Sequence, residues 1–154
     1  MASLFFDSSA IVKRYVNEIG SNFVENLTDV QSGNIVLLAR ITHVEVAAAI
    51  ARRLKNSNIT ATDAQQALAA FRHDLTNNYF TVEITPALLS NAVDLATNKV
   101  LRGYDAVQLA AALEANNETA SAGLPPVIMV SADTDLNTAA IAEGFIVENP
   151  NNHH

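Results

Sequence analysis

Five short apolar runs, each too short for a buried helix, recur along this chain and limit what it can fold into. They are Leu4-Phe5-Phe6, Ile35-Val36-Leu37-Leu38, Tyr79 to Ile84, Val127-Ile128-Met129-Val130 and Phe145-Ile146-Val147. The third alternates and is rich in β-branched and aromatic residues, and all five read as strands. Between them lie segments of helical period: one opening at Ser8-Ser9, then Gly20 to Val30, Val46 to Leu54 and Ala61 to about Leu75. Others are the Thr85-Pro86 start running on through Ala96, Leu101 to Leu113, and a stretch ending at Glu143 before Gly144. Asn116 to Gly123 is polar and reads as a loop. Strands alternating with helices predict an α/β fold, a three-layer α/β/α sandwich on a mostly parallel central sheet. No repeat or linker interrupts it, so residues 1–150 read as one domain and 151–154 as a tail. His153-His154 read as a purification-tag remnant.

A chain of 154 residues can bury a full-sized core. A hydrophobic content of 49% with 16% charged residues excludes a disordered chain. No apolar run approaches the roughly 20 residues that span a bilayer, and no basic segment precedes the first strand. The expectation is a cytoplasmic protein with no membrane role. The absence of cysteine excludes a disulfide framework and a thiolate metal site. A net charge of −7 argues against passive nucleic-acid binding, which depends on phosphate neutralisation by Lys and Arg. It leaves room for an enzyme that meets phosphate through a bound cation.

Candidate chemistry sits where strands end. In open α/β sheets ligands bind beyond the carboxyl ends of the strands. The first run stops at Asp7, followed by Ser8 and Ser9, and the Val127–Val130 run leads to Ser131-Ala132-Asp133. Glu45 opens a helix in Thr42-His43-Val44-Glu45, and Asp105 opens the almost wholly apolar segment Leu101–Leu113. Each acid has a plain structural alternative as a helix cap or first-turn residue. Thr42 and Glu45 in particular match a capping box. If the four converge, two carboxylates about 4 Å apart repel by roughly 4 kcal/mol at an effective dielectric near 20. They would then share a proton or need a cation. Oxygen-only donors, with no cysteine and no histidine at ligand spacing, select a hard ion such as Mg²⁺ or Mn²⁺. Asp135 reads as a first-turn residue, His43 as a packing residue and His73 as unpartnered. The Ala-rich pair of helices from Val46 to Leu75 suits core packing or a partner surface.

Phe6-Asp7-Ser8-Ser9-Ala10-Ile11-Val12-Lys13-Arg14-Tyr15, mid-chain Glu45, Tyr104-Asp105-Ala106-Val107-Gln108-Leu109-Ala110 and Ser131-Ala132-Asp133-Thr134-Asp135-Leu136 resemble, in family order, the PIN-domain ribonucleases. The VapC toxins of toxin–antitoxin pairs are the most similar group. Ser8 stands where the family often has Thr, and Gln108 where many members have His. The resemblance implies a Mg²⁺ or Mn²⁺ site lined by Asp7, Glu45, Asp105 and Asp133. It implies endoribonuclease activity on RNA phosphodiesters, a homodimer, and a cognate antitoxin that silences the enzyme. On that basis Asp7, Asp105 and Asp133 would hold the ion, Glu45 would ligate it or act as general base, and Ser9 would orient the attacking water. Arg14 or Arg102 would touch the RNA backbone. The alternative is a catalytically inactive binding or interaction module of the same fold. A haloacid-dehalogenase-type phosphatase also begins with Asp at a strand tip. It wants a second acid two residues on, where this chain has Ser9, and a late Lys, whereas none follows Lys99.

Overall fold

The order of the strands follows from their burial. The structure, a computed structural model, describes residues 1–154. Strand β1 (Ser3–Phe6) is buried along its whole length, so it needs a neighbour on each edge and a helical layer on each face. It pairs in parallel with β2 (Ile35–Ala39) on one side and β4 (Val127–Val130) on the other. Beyond these lie β3 (Tyr79–Val82) and β5 (Ile146–Glu148), giving the order β3-β2-β1-β4-β5 with every pairing parallel. The sheet is therefore wholly parallel, a stricter result than the mostly parallel one expected.

Side chains alternate across the sheet and divide the core in two. Leu4 and Phe6 join Leu38, Val130, Ile11, Val46 and Phe71 on one face. That layer comprises α1 (Ser8–Ile11), α2 (Ser21–Thr28), α3 (Thr42–Lys55) and α4 (Ala61–Asn77). Phe5 points the other way, into Met129, Val82, Leu88, Leu109 and Leu136. There the layer is α5 (Pro86–Lys99), α6 (Gly103–Ser121) and α7 (Thr134–Ala142). The three layers are those the alternation predicts.

Two local expectations fail. Asn116 to Gly123 is not a loop, because α6 continues to Ser121. Ala115 and Thr119 bury one face of that extension, and Asn116 Oδ1 accepts from the Val127 N–H, so the polar residues stand on a packed helix. The Thr42–Glu45 capping box does not form either. Ile41 takes the N-cap position without a side-chain bond, and Thr42 turns wholly inward. The chain's capping box is at Thr60 and Asp63, opening α4.

Helix α6 reaches the sheet closely because the residues it presents are small. Ala106, Ala110, Ala111, Ala112 and Ala115 are all buried. This packing sets where Asp105 and Gln108, on the same helix, stand relative to the strand ends. Ala111→Leu should therefore overpack the interface and destabilise the protein by about 1–3 kcal/mol. Thermal unfolding checks this: a variant melting at or above the wild-type temperature would mean the helix has slack against the sheet.

Candidate active site at the strand tips

Register brings the first and last acids together. Phe6 lies opposite both Leu38 and Val130, so the next residues, Asp7 and Ser131, emerge side by side from adjacent strands. This is the crevice between β1 and β4, where the strand order reverses and ligands of such sheets bind. Asp7 is only 4% exposed. It is the N-cap of α1, and its Oδ1 accepts from the Ala10 N–H at 3.1 Å. The Ser9 hydroxyl lies 2.7 and 2.9 Å from its two oxygens, and the Ser131 hydroxyl donates to Oδ2 at 2.9 Å. Both serines are also acceptors, from the N–H groups of Ala132 and Asp133 respectively, so they brace the tip of β4 against the tip of β1.

Asp133 is the N-cap of α7: its Oδ1 accepts from the Leu136 N–H at 2.9 Å, leaving Oδ2 free for another partner. Asp105 lies in the first turn of α6 and is largely buried. Glu45 lies in the first turn of α3, half-buried, and accepts from Gln108 Nε2 at 3.1 Å. The same amide donates to Thr42 Oγ1 at 2.9 Å, while Gln108 Oε1 is buried without a partner. Gln108 thus fixes the Glu45 carboxylate from one turn beyond Asp105.

Asp7, Glu45, Asp105 and Asp133, with Ser8, Ser9, Arg102, Tyr104 and Gln108, line one cavity of about 230 Å³. All four predicted acids and Ser9 are therefore brought together. A larger cavity, about 550 Å³, lies between residues 17–26 and the terminal histidines. Its one acid, Glu18, is already paired with Lys13 and Arg53, and it carries no comparable chemistry. Asp135 does not line the cleft and is exposed, as a first-turn residue of α7 should be. His43 bonds Thr81 and meets the edge of Phe71, and His73 shares a hydrogen bond with Asn77 on its own helix. Arg14 pairs with Asp74, and Lys13 is buried against Glu18 and the Ile19 carbonyl, so neither faces the cleft.

Crowding of negative charge shows in the ionisation of the acids. Burial pushes the Asp7 carboxyl up to about 7, against the hydrogen bonds from Ser9, Ser131 and Ala10, with the charge of Asp133 adding to the rise. Burial also raises Glu45, with Asp105 contributing, and it raises Asp105, with Asp133 contributing. The donor set, oxygen only, suits a hard divalent cation. No three of the acids are gathered into a ready-made ligand cluster. Instead the cleft holds a positive charge of its own: Arg102 Nη2 lies 2.7 Å from Asp133 Oδ2 and 3.1 Å from Asp105 Oδ2. The residues thus fit a cation in chemistry, one cationic group already being bound by two of them.

Sequence reading did not find the bracing roles of Ser131 and Thr42, or that of Gln108. A signal for Gln108 existed, since it lies three residues after Asp105 and so on the same helical face. Ser131 and Thr42 carry no such local mark.

A scan against protein-family models returns no match. Two curated proteins of Mycobacterium tuberculosis are similar along the chain: ribonuclease VapC45 of strain CDC 1551 / Oshkosh and ribonuclease VapC49 of strain ATCC 25618 / H37Rv. Each is 33% identical over 144 residues, covering 94% of this chain and 93% of the relative. Among solved structures, M. tuberculosis VapC20, described as a sarcin–ricin loop cleaving toxin, superposes with a TM-score of 0.62 at 15% identity. That match covers 93% of this chain and 96% of VapC20. VapBC2 of Rickettsia felis, bound to a promoter DNA fragment, superposes at 0.63 with 13% identity, covering 96% and 98%. These structural likenesses bear on the fold.

Because Asp7 is raised from 3.8 to about 7, the folded protein binds a proton that the unfolded chain has lost between those values. Stability of the ion-free protein should therefore be fullest below about pH 4 for this group and fall as pH rises towards and through 7. Glu45 and Asp105 contribute with the same sign. Melting in EDTA across pH 5–8 should show a downward slope that is shallower in Asp7→Asn, with the variant the more stable at pH 8. An identical slope in both proteins would remove Asp7 as its source.

Proposed function

This chain belongs to the VapC ribonucleases, and we propose on that premise that it is a divalent-cation-dependent endoribonuclease, the toxin of a toxin–antitoxin pair. The observation that carries the proposal is the convergence of Asp7, Glu45, Asp105 and Asp133, from four separate elements, on one cavity at the strand tips. Two curated relatives named as ribonucleases support the activity, and toxin–antitoxin complexes among the proteins of the same fold support an antitoxin partner. No helix is long and apolar enough to cross a membrane.

Asp7, Asp105 and Asp133 would hold Mg²⁺ or Mn²⁺ on their available oxygens, with Glu45 as a further ligand or as the general base. The cation would supply an acidified water and offset charge on the phosphate in transit. The chain's own residues do the rest. Ser9 and Ser131 hold the Asp7 carboxylate in one orientation, so it has little reorganisation to undergo when charge develops nearby. Gln108 aims Glu45, whose burial-raised proton affinity makes it a better base than an exposed carboxylate. The water oxygen would bond to phosphorus as the opposite P–O bond breaks; as general base Glu45 would take the water's proton, and the departing ribose oxygen would take a proton from solvent. The RNA, guided in by cation rather than by surface charge, would meet a protein of net charge −7. An antitoxin would silence the enzyme most directly by covering this mouth.

Purified protein incubated with total cellular RNA and Mg²⁺ or Mn²⁺ should generate discrete new 5′ ends, mapped by sequencing. EDTA should suppress them, and Asp7→Asn should reduce cleavage at least 100-fold while leaving the circular dichroism spectrum unchanged. An Asp7→Asn protein that cleaves at the wild-type rate would overturn the assignment. Absence of both cleavage and cation binding would mark an inactive binding module of the same fold.

A further inference from the structure

We propose that Arg102 seats its guanidinium where a divalent cation must bind, so that cation loading is an exchange and not a simple addition. The inference rests on the metal-site proposal and concerns how that site is kept when no ion is present.

The geometry is specific. Arg102 Nε and Nη2 lie 3.1 Å from Asp105 Oδ2, and Nη2 reaches on to Asp133 Oδ2 at 2.7 Å. One planar group therefore bridges two acids delivered by different helices, α6 and α7, which would otherwise repel each other across the crevice. Arg102 is the only cationic side chain lining the cavity. Lys13, Arg14, Arg53 and Lys99 are paired with Glu18, Asp74, Glu18 and Glu143 elsewhere. The guanidinium also uses the Asp133 oxygen that capping of α7 leaves over.

The arrangement can be undone at small cost. The Arg102 side chain is 72% exposed, and its hydrogen-bond partners are these two carboxylates alone. Its backbone is extended at the N-cap of α6, so the side chain can swing out without disturbing the helix. Exposed ion pairs contribute little individually, whereas a divalent ion carries twice the charge of a guanidinium. The same two carboxylates cannot fully serve both cations. Each must weaken the other by an equal factor.

The sign of one substitution separates this from mere bracing. If Arg102 only props Asp105 and Asp133 into place, Arg102→Gln should weaken cation binding; if it competes, the same change should tighten it. Calorimetric titration of the full chain with Mn²⁺ should give a dissociation constant several-fold to about tenfold tighter in Arg102→Gln, tenfold being about 1.4 kcal/mol. Arg72→Gln, which removes the same charge from the exposed face of α4, should match wild type. In wild type, titration with Mg²⁺ should move the Arg102 Nε–H resonance. Equal or weaker binding by Arg102→Gln while wild type binds, or equal tightening in Arg72→Gln, would overturn the competition and leave the metal site standing. An Arg102 resonance that stays still through saturation would do the same. No binding heat in wild type or in Arg102→Gln would overturn both.

Discussion

A carboxylate as buried as Asp7 can persist only if it is neutral or surrounded by donors, and the tip of β1 is built to provide the donors. Two serine hydroxyls and the Ala10 N–H converge on it. These contacts do more than solvate one side chain. Ser9 comes from the first turn of α1 and Ser131 from the end of β4, and each accepts an N–H from the segment after β4. The start of α1, the tip of β1 and the entry to α7 are thereby locked into one polar knot. The knot is possible only in the observed register, in which Asp7 follows Phe6 and Ser131 follows Val130. A slip of one residue would turn Asp7 into an apolar face and strand its charge.

The remaining acids are placed by helix starts. Glu45 and Asp105 occupy first turns, and Asp133 is an N-cap, so each lies where unsatisfied N–H groups and the helix dipole favour negative charge. Four carboxylates can approach one small cavity because each is partly compensated before any cation arrives, Asp7 and Asp133 by backbone N–H groups, Glu45 by Gln108 and Asp105 by Arg102. The compensation is incomplete, as the raised proton affinities of Asp7, Glu45 and Asp105 show.

Most of the architecture could be read from one dimension because the strands are short, apolar and buried, and run length together with period separates them from the helices. Each acid could be nominated for the same reason: Asp7 stands directly after a strand-like run and Asp133 three residues after another, and Glu45 and Asp105 begin helical ones. What could not be read is anything that depends on two distant segments meeting. The Ser131–Asp7 bond spans 124 residues, and the Arg102–Asp133 bond 31. The misreading of Asn116–Gly123 has a different origin. Its Asn, Glu and Ser content predicts a loop, but Ala115 and Thr119, four apart, are both buried and carry the helix onward. Local sequence predicts that Thr42 caps its own helix, but its hydroxyl oxygen accepts from a tertiary partner, Gln108, instead.

Capping a helix does not withdraw Asp7 and Asp133 from the cleft, because capping uses only one carboxylate oxygen of each. Asp133 gives Oδ1 to the Leu136 N–H and Oδ2 to the cleft. Asp7 gives Oδ1 to the Ala10 N–H, while Oδ2 takes the Ser131 hydroxyl. An N-cap with a side-chain bond contributes roughly 0.5–2 kcal/mol, so each of these acids helps fold the helix that aims it. The stability cost of gathering charge is thus met partly by the structural bonds that fix its geometry. The same division leaves Asp7→Asn able to keep its cap: an amide retains one carbonyl oxygen for the Ala10 N–H, and what it loses is the charge and the second acceptor that takes the Ser131 hydroxyl.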